Sequence, residues 1–287
     1  MARVACSPLA WGAARVETFL DEAADAGFAG VELHDVALDA FAKQPARLRG
    51  LLEERKLAVA ATPFTGWFFD RDRQKEELER LRRVGDFIAE VDGQGVICFR
   101  AERHPARRDM IAGEPPLLPL TRDRFAALAD SLDRLCDACR DFGLTGAFSN
   151  RVGTFVETPD EYQEVIERTQ PDLVKLAPDV GHWAYAGGDP AALVRRERPR
   201  IAYLELKDLD RQVFDSVRDE RLGFRHFLRD GGFKPLGAGT LDLEAILTPL
   251  DKAEYAGWIG WELETTPQPP KEVAQTSRDF LRSRLHW

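Results

Sequence analysis

At 287 residues, with 44% hydrophobic and 31% charged residues, the chain has ordinary globular composition and enough apolar content for a sizeable core. A formal charge of −9, with Lys and Arg dispersed among the acids, excludes the single-sign basic surface that a nucleic-acid backbone requires. No run approaches the roughly 18 apolar residues of a membrane span and no secretory pattern opens the chain, so the expectation is a cytoplasmic protein with neither nucleic acid nor membrane as partner.

Short apolar runs alternate with stretches of helical spacing. VACS (4–7) and GVEL (30–33) read as strands, and ETFLDEAADAG between them reads as a helix stopped by Gly27. The alternation continues through helix 45–55, strand 57–61, helix 72–91, strand 95–99, helix 121–142, strand 144–149, helix 159–168 and strand 173–177. Helix 189–198, strand 201–206, helix 242–252, strand 257–263 and helix 271–284 complete it. Runs such as VICF and LVKLA are apolar throughout, as strands covered on both faces must be. Eight strands and eight helices predict an α/β fold, a (β/α)8 TIM barrel over 1–287 as one domain, with a doubly wound open sheet as the alternative.

Two connections are too long for simple turns. Residues 100–120 carry four prolines and no periodicity, and 209–240 holds a short helix expected near 212–229. Both lie on the rim where barrel ligands bind, so they could close over one pocket. The four cysteines form no paired framework, which fits a reducing compartment, and Cys136-x-x-Cys139 falls inside a helical pattern and reads as core packing.

Candidate site residues cluster at strand ends. Asp179, His182, Glu205 and Lys207 come together where the strands of a β-α-β unit stop. Glu32 and His34 end strand 2, where alternation points both into the mouth; a satisfied structural histidine is the plain alternative. Lys207 is placed either on a substrate oxygen or in a salt bridge to Asp208 or Glu205, and His104 in the long loop reaches substrate only on closure. Trp11, Trp67, Phe68, Phe69, Phe99, Phe148, Trp183 and Tyr185 sit at or beyond strand ends, which suggests a ligand with an apolar face if they line the mouth rather than the core.

LAPDVGHWAYAGGDP, RIAYLELKD, GGFKPLGAGTLDLEAI and YAGWIGWELE, with GTFVETPDEY before them, resemble in order and spacing the sugar-isomerase-like barrels related to xylose isomerase, and among these the inosose dehydratases, which dehydrate 2-keto-myo-inositol. The resemblance runs from SPLAW (7–11) to the last helix. It implies a divalent metal, commonly manganese or cobalt, at the ends of strands 5 to 8. The family's D-T-G-H is Asp179-Val180-Gly181-His182 here, and its terminal glutamate is Glu262. Two positions depart: Glu205 stands for the strand-7 histidine, and Ser149-Asn150-Arg151 stands where relatives carry the strand-5 ligand.

Three carboxylates at one spot, Asp179, Glu205 and Glu262, cannot all stay ionised without a cation. A hard ion, Mn²⁺ or else Mg²⁺ or Co²⁺, with His182 as fourth ligand is one solution. A protonated acid serving as metal-free general acid, or neutralisation by Arg151, is the other. The expected activity is dehydration or epimerisation of a cyclic or sugar-like hydroxy-ketone through an enediolate, with Glu205, His182 or Glu32 as base and Trp11, His34, Trp67, His104, Arg151 and Trp183 around a small-molecule substrate. The alternatives are a metal-independent isomerase, cyclase or dehydratase on an aromatic metabolite, and a non-catalytic barrel subunit. A homo-oligomer is compatible with the sequence, which does not set the oligomeric state.

Overall fold

The computed structural model describes residues 2–12 and 15–285. The apolar runs form β1 (Arg3–Cys6), β2 (Gly30–Glu32), β3 (Ala58–Gly66), β4 (Val96–Ala101), β5 (Thr145–Ser149), β6 (Lys175–Leu176) and β7 (Tyr203–Leu206). Two short strands follow, β8 (Asp208–Leu209) and β9 (Phe233–Lys234), and then β10 (Trp258–Trp261). Seven of these and β10 pair in parallel in the order β6-β5-β4-β3-β2-β1-β10-β7. Parallel bridges Leu176–Ile201 and Asp179–Glu205 close the ring between β6 and β7. The result is an eight-stranded barrel ringed by helices, as expected.

Helix starts follow side-chain chemistry. Thr158 and Glu161 make a reciprocal capping box on Pro159–Arg168, and Thr121 accepts from the Arg124 amide at the start of Arg122–Cys139. The Asp179 side chain accepts from the His182 N–H and starts helix Val180–Tyr185, a helix not anticipated between strand 173–177 and helix 189–198. Helix Asp35–Phe41 was likewise not anticipated. The single helix expected at 212–229 is two, Arg211–Asp219 and Phe224–Arg229, because Arg221 adopts a left-handed conformation between them.

The lower lumen is filled by Ala5, Ala60, Ala61, Val96, Cys98, Ala147 and Ala177 around the rings of Tyr203 and Trp258. Small residues opposite large ones leave no channel. A Cβ on Gly260 would stand 1.8 Å from the Tyr203 hydroxyl, so the glycine makes room for the ring. The lumen is therefore sealed below, and polar side chains gather above it.

The two long connections meet on the rim. Residues Ile111 and Gly223 form an antiparallel bridge, Phe224 N–H donates to the Met110 carbonyl at 3.0 Å, and Arg225 pairs with Asp109 at 2.9 Å. Buried Arg107 pins the first connection, donating to Glu157 at 3.0 Å and Glu161 at 2.6 Å. Among the described residues no helix is long and apolar enough to cross a membrane.

Candidate active site

The carboxyl ends of the strands bring eight ionisable side chains into one buried cluster, joined at its edge by His34. Asp179, Glu205 and Glu262 each offer an oxygen within 4.8 Å of the others, and Glu32, His34 and Glu262 form a second such group. Either trio could supply ligand atoms to an ion. Their charge is, however, already met. Lys207 Nζ lies 3.3 Å from Asp179, 3.1 Å from Glu205 and 3.3 Å from Glu264, and also contacts Glu262. Arg151 donates to Glu205 at 2.9 Å, to Glu262 and to Glu264 at 3.3 Å, and Arg100 donates to Glu205 at 2.7 Å.

Five acids thus face three cations, an excess of two negative charges when all are ionised. Burial pushes Asp179 and Glu262 above the usual carboxylate range. Glu205 is as deeply buried, yet Arg100, Lys207 and Arg151 outweigh burial and hold it well below that range. Glu264 is held down in the same way by Lys207 and His182. Asp179 and Glu262 are thus the two acids of the cluster whose charged form burial disfavours most.

Backbone supports fix these positions. Asn150 clamps Asp179, donating to its carbonyl at 3.2 Å and accepting from its N–H at 2.9 Å. Ser149 is buried, its hydroxyl turned to the Asn150 carbonyl and away from the acids. Lys207 is paired to Glu205 and not to Asp208, whose carboxylate instead accepts the Gly237, Gly239 and Leu241 amides and folds the G-A-G-T turn.

His182 departs from both expected roles. Its Nδ1 accepts from the Val152 N–H at 3.1 Å and its Nε2 faces Glu264 at 3.1 Å, so no nitrogen is left for a metal or a substrate proton. Burial and the neighbouring Arg151 push its pKa down to about 3, which keeps it neutral. Glu32, fully buried, is also not free: Tyr203 O–H donates to one oxygen at 2.5 Å and His34 Nε2 meets the other at 2.7 Å. Burial raises its pKa, but the His34 hydrogen bond and nearby Arg100 turn the balance and hold Glu32 ionised below its ordinary range.

A cleft of about 570 Å³ opens above the cluster, lined by His34, Arg100, Arg103 and Arg151 together with Glu102, Phe64 and neighbouring residues. His34 is the part of the Glu32 pair that reaches it. The remaining residues expected at the substrate lie elsewhere. Trp67 packs on Phe69 and Phe155, His104 accepts from the Ala106 amide and leans on Phe155, and Trp183 is buried against Tyr162. Trp11 donates to Glu22 at 2.7 Å and lines a separate apolar pocket of about 120 Å³ behind His34. Phe68, Phe69, Phe99, Phe148 and Tyr185 are core. The expectation of an apolar substrate face loses its basis, because these rings satisfy the space between barrel and helices.

Sequence reasoning missed Arg100 and Glu264, and it named Asn150 only at the departed strand-5 position and not as the clamp on Asp179. Arg100 lies inside β4, which extends past the expected end at 99, and Glu264 follows Glu262 by the two-residue period that keeps both on one side.

The oxygen donors suit a hard ion, but the space does not. The point between Asp179, Glu205 and Glu262 is taken by the Lys207 ammonium and flanked by the Arg151 guanidinium, and the neutral donors His182 and Ser149 are turned away. In this arrangement the residues do not fit a resident divalent metal.

The chain matches, over residues 20–284, the family model described as xylose isomerase-like TIM barrel. It is 30% identical to the inosose dehydratase of Geobacillus kaustophilus (strain HTA426), over 93% of this chain and 86% of that protein. It is 29% identical to the inosose dehydratase of Clostridium beijerinckii (strain ATCC 51743 / NCIMB 8052), over 93% and 89%. Among solved structures it is similar to the probable 3-DHS dehydratase of petrobactin synthesis from Bacillus anthracis, with a TM-score of 0.73, 14% identity and coverage of 99% and 100%. It is also similar to the IOLI protein, whose structure has a binding zinc atom, with a TM-score of 0.73, 16% identity and coverage of 98% and 96%.

Proposed function

The chain belongs to the xylose isomerase-like TIM barrel family and is an enzyme, and we propose that it is a lyase dehydrating a cyclic, sugar-like hydroxy-ketone, with inosose as first candidate. One observation carries this reading: His34, backed by Glu32, opens onto a cleft that Arg100 and Arg151 also line. A base oriented by a buried carboxylate, facing fixed positive charge, is what removal of a proton next to a carbonyl requires.

Glu32 accepts from Nε2–H and so leaves Nδ1 of His34 as the basic nitrogen. His34 takes the proton from the carbon beside the ketone, and the electron pair moves to the carbonyl oxygen. Arg151 and Arg100 stabilise that oxygen as negative charge develops. The imidazolium then returns its proton to the β-hydroxyl, the C–O bond breaks and water leaves with a C=C bond formed. Reprotonation of the same intermediate on its other face would give epimerisation. Glu32 is a positioning residue, since it acts through His34. Four unpaired buried thiols suit the reducing cytosol, where we place the reaction.

A second reading puts Mn²⁺, or else Mg²⁺ or Co²⁺, on Asp179, Glu205 and Glu262. The three carboxylate oxygens within 4.8 Å of one another are the observation that favours it, and it requires the Lys207 ammonium to leave the point between them.

The test is NMR of inosose incubated with the protein in D2O. Dehydrated product is expected, and His34→Gln should lower kcat by about 10²- to 10⁴-fold with KM little changed. Turnover equal to the native rate in His34→Gln would remove the assigned base.

A further inference from the structure

We infer that the cation this site needs is built into the chain: the Lys207 ammonium, seconded by the Arg151 guanidinium, takes the place of a divalent metal, and the enzyme works without one. The inference rests on the proposed use of the same cleft, and deepens it by naming what supplies the positive charge.

Four carboxylates surround the Lys207 nitrogen, three at 3.1 to 3.3 Å and the fourth, Glu262, in direct contact. An ion bound to oxygens of Asp179, Glu205 and Glu262 at the usual 2.0 to 2.6 Å or so would fall within the volume of that nitrogen. Two cations cannot share it. Nor is Lys207 free to swing aside. It is fully buried, its stem runs so close to Gly181 that a Cβ there would stand 2.7 Å from Lys207 Cβ, and its ammonium lies 5.6 Å from the Phe233 ring. Leaving would strip it of every one of these contacts.

Arg151 closes the other side. Its fork spans Glu205, Glu262 and Glu264, and a guanidinium neither loses its proton nor accepts a hydrogen bond, so it cannot act as a ligand. The two neutral groups that could complete a coordination shell are committed elsewhere, His182 to Val152 and Glu264, and Ser149 to the Asn150 carbonyl. The same Arg151 lines the cleft, so the charge balancing the acids also faces the substrate.

The experiment measures metal content and binding on the full chain, not turnover. Native protein purified in the presence of MnCl2 and then desalted without chelator is assayed by elemental analysis, and its Tm is recorded with excess MnCl2, with CoCl2 and with EDTA. Only trace metal and no shift in Tm are expected. The Arg151→Gln/Lys207→Met variant should gain Mn²⁺, rising from trace to near one ion per chain with a higher Tm when Mn²⁺ is added. Lys207→Met alone, which empties the point between the acids, serves if the double variant does not fold. Native protein holding close to one ion per chain, lost in Asp179→Asn, would overturn the inference, as would folded variants that gain none. Failure of the dehydratase reading would appear only in the turnover assay, so the two cannot be confused.

Discussion

Removal of the Lys207 ammonium would leave Asp179, Glu205, Glu262 and Glu264 converging with only the two arginines to separate them. Breaking a buried ion pair from one side costs about 3–5 kcal/mol, because the remaining charge stays desolvated and unpaired. Lys207→Met, close to the same shape, should therefore lose stability of that order in urea unfolding; a loss below about 1 kcal/mol would show that the cluster relaxes by taking up protons. The acids at its centre were legible in the sequence because a strand end in a barrel is a place where a charge has purpose. Arg100 was not, since ending β4 two residues too early assigned it to a loop. Trp67 and Trp183 misled for a complementary reason. An aromatic ring at a strand end can turn to the cleft or to the surrounding helices, and residue type does not distinguish the two.

At the scale of elements, helix Arg122–Cys139 lies against β5 with no space between them. A Cβ on Gly146 would come within 2.4 Å of Cys136 Sγ and 2.8 Å of its Cα, so the glycine is what lets the helix settle on the strand. Gly146→Ala should cost about 1–3 kcal/mol by overpacking, measured from the urea midpoint. Cys136→Ala in the same chain should restore part of that loss by removing Sγ, and purely additive costs would contradict this account. The C-x-x-C was thus read correctly as packing, and the strand across from it gives the reason. Element order was legible because continuous apolar runs separated by helical spacing admit few arrangements. The division of 212–229 into two helices was not, because the left-handed Arg221 that divides them precedes a segment held by Arg225 N–H on the Asp109 carboxylate, 116 positions away in the chain. Likewise β8 and β9, two residues each, are too short to leave a pattern.

Across the whole molecule the barrel ring is uneven. Seven of its junctions are ladders, whereas β6 is two residues long and joins β7 only through isolated bridges at Leu176–Ile201 and Asp179–Glu205. The second bridge lies inside the charged cluster, so the ion pairs that shape the site also hold the ring shut. We propose that the chain nonetheless opens as one cooperative domain, and its cysteines report on this. Cys6 is on β1, Cys98 on β4, and Cys136 and Cys139 on the helix against β5; none is more than 2% exposed. Burial holds all four thiols in their unreactive protonated form, Cys139 being pushed up to about 12. A disulfide reagent should therefore find no fast thiol in native protein and four in denaturant. Under native conditions all four should react at one rate, set by global unfolding, because the three elements that carry them pack into one ring. A rapid phase confined to Cys136 and Cys139 would place a separately opening unit beside the β5–β6 seam and defeat the single-domain proposal.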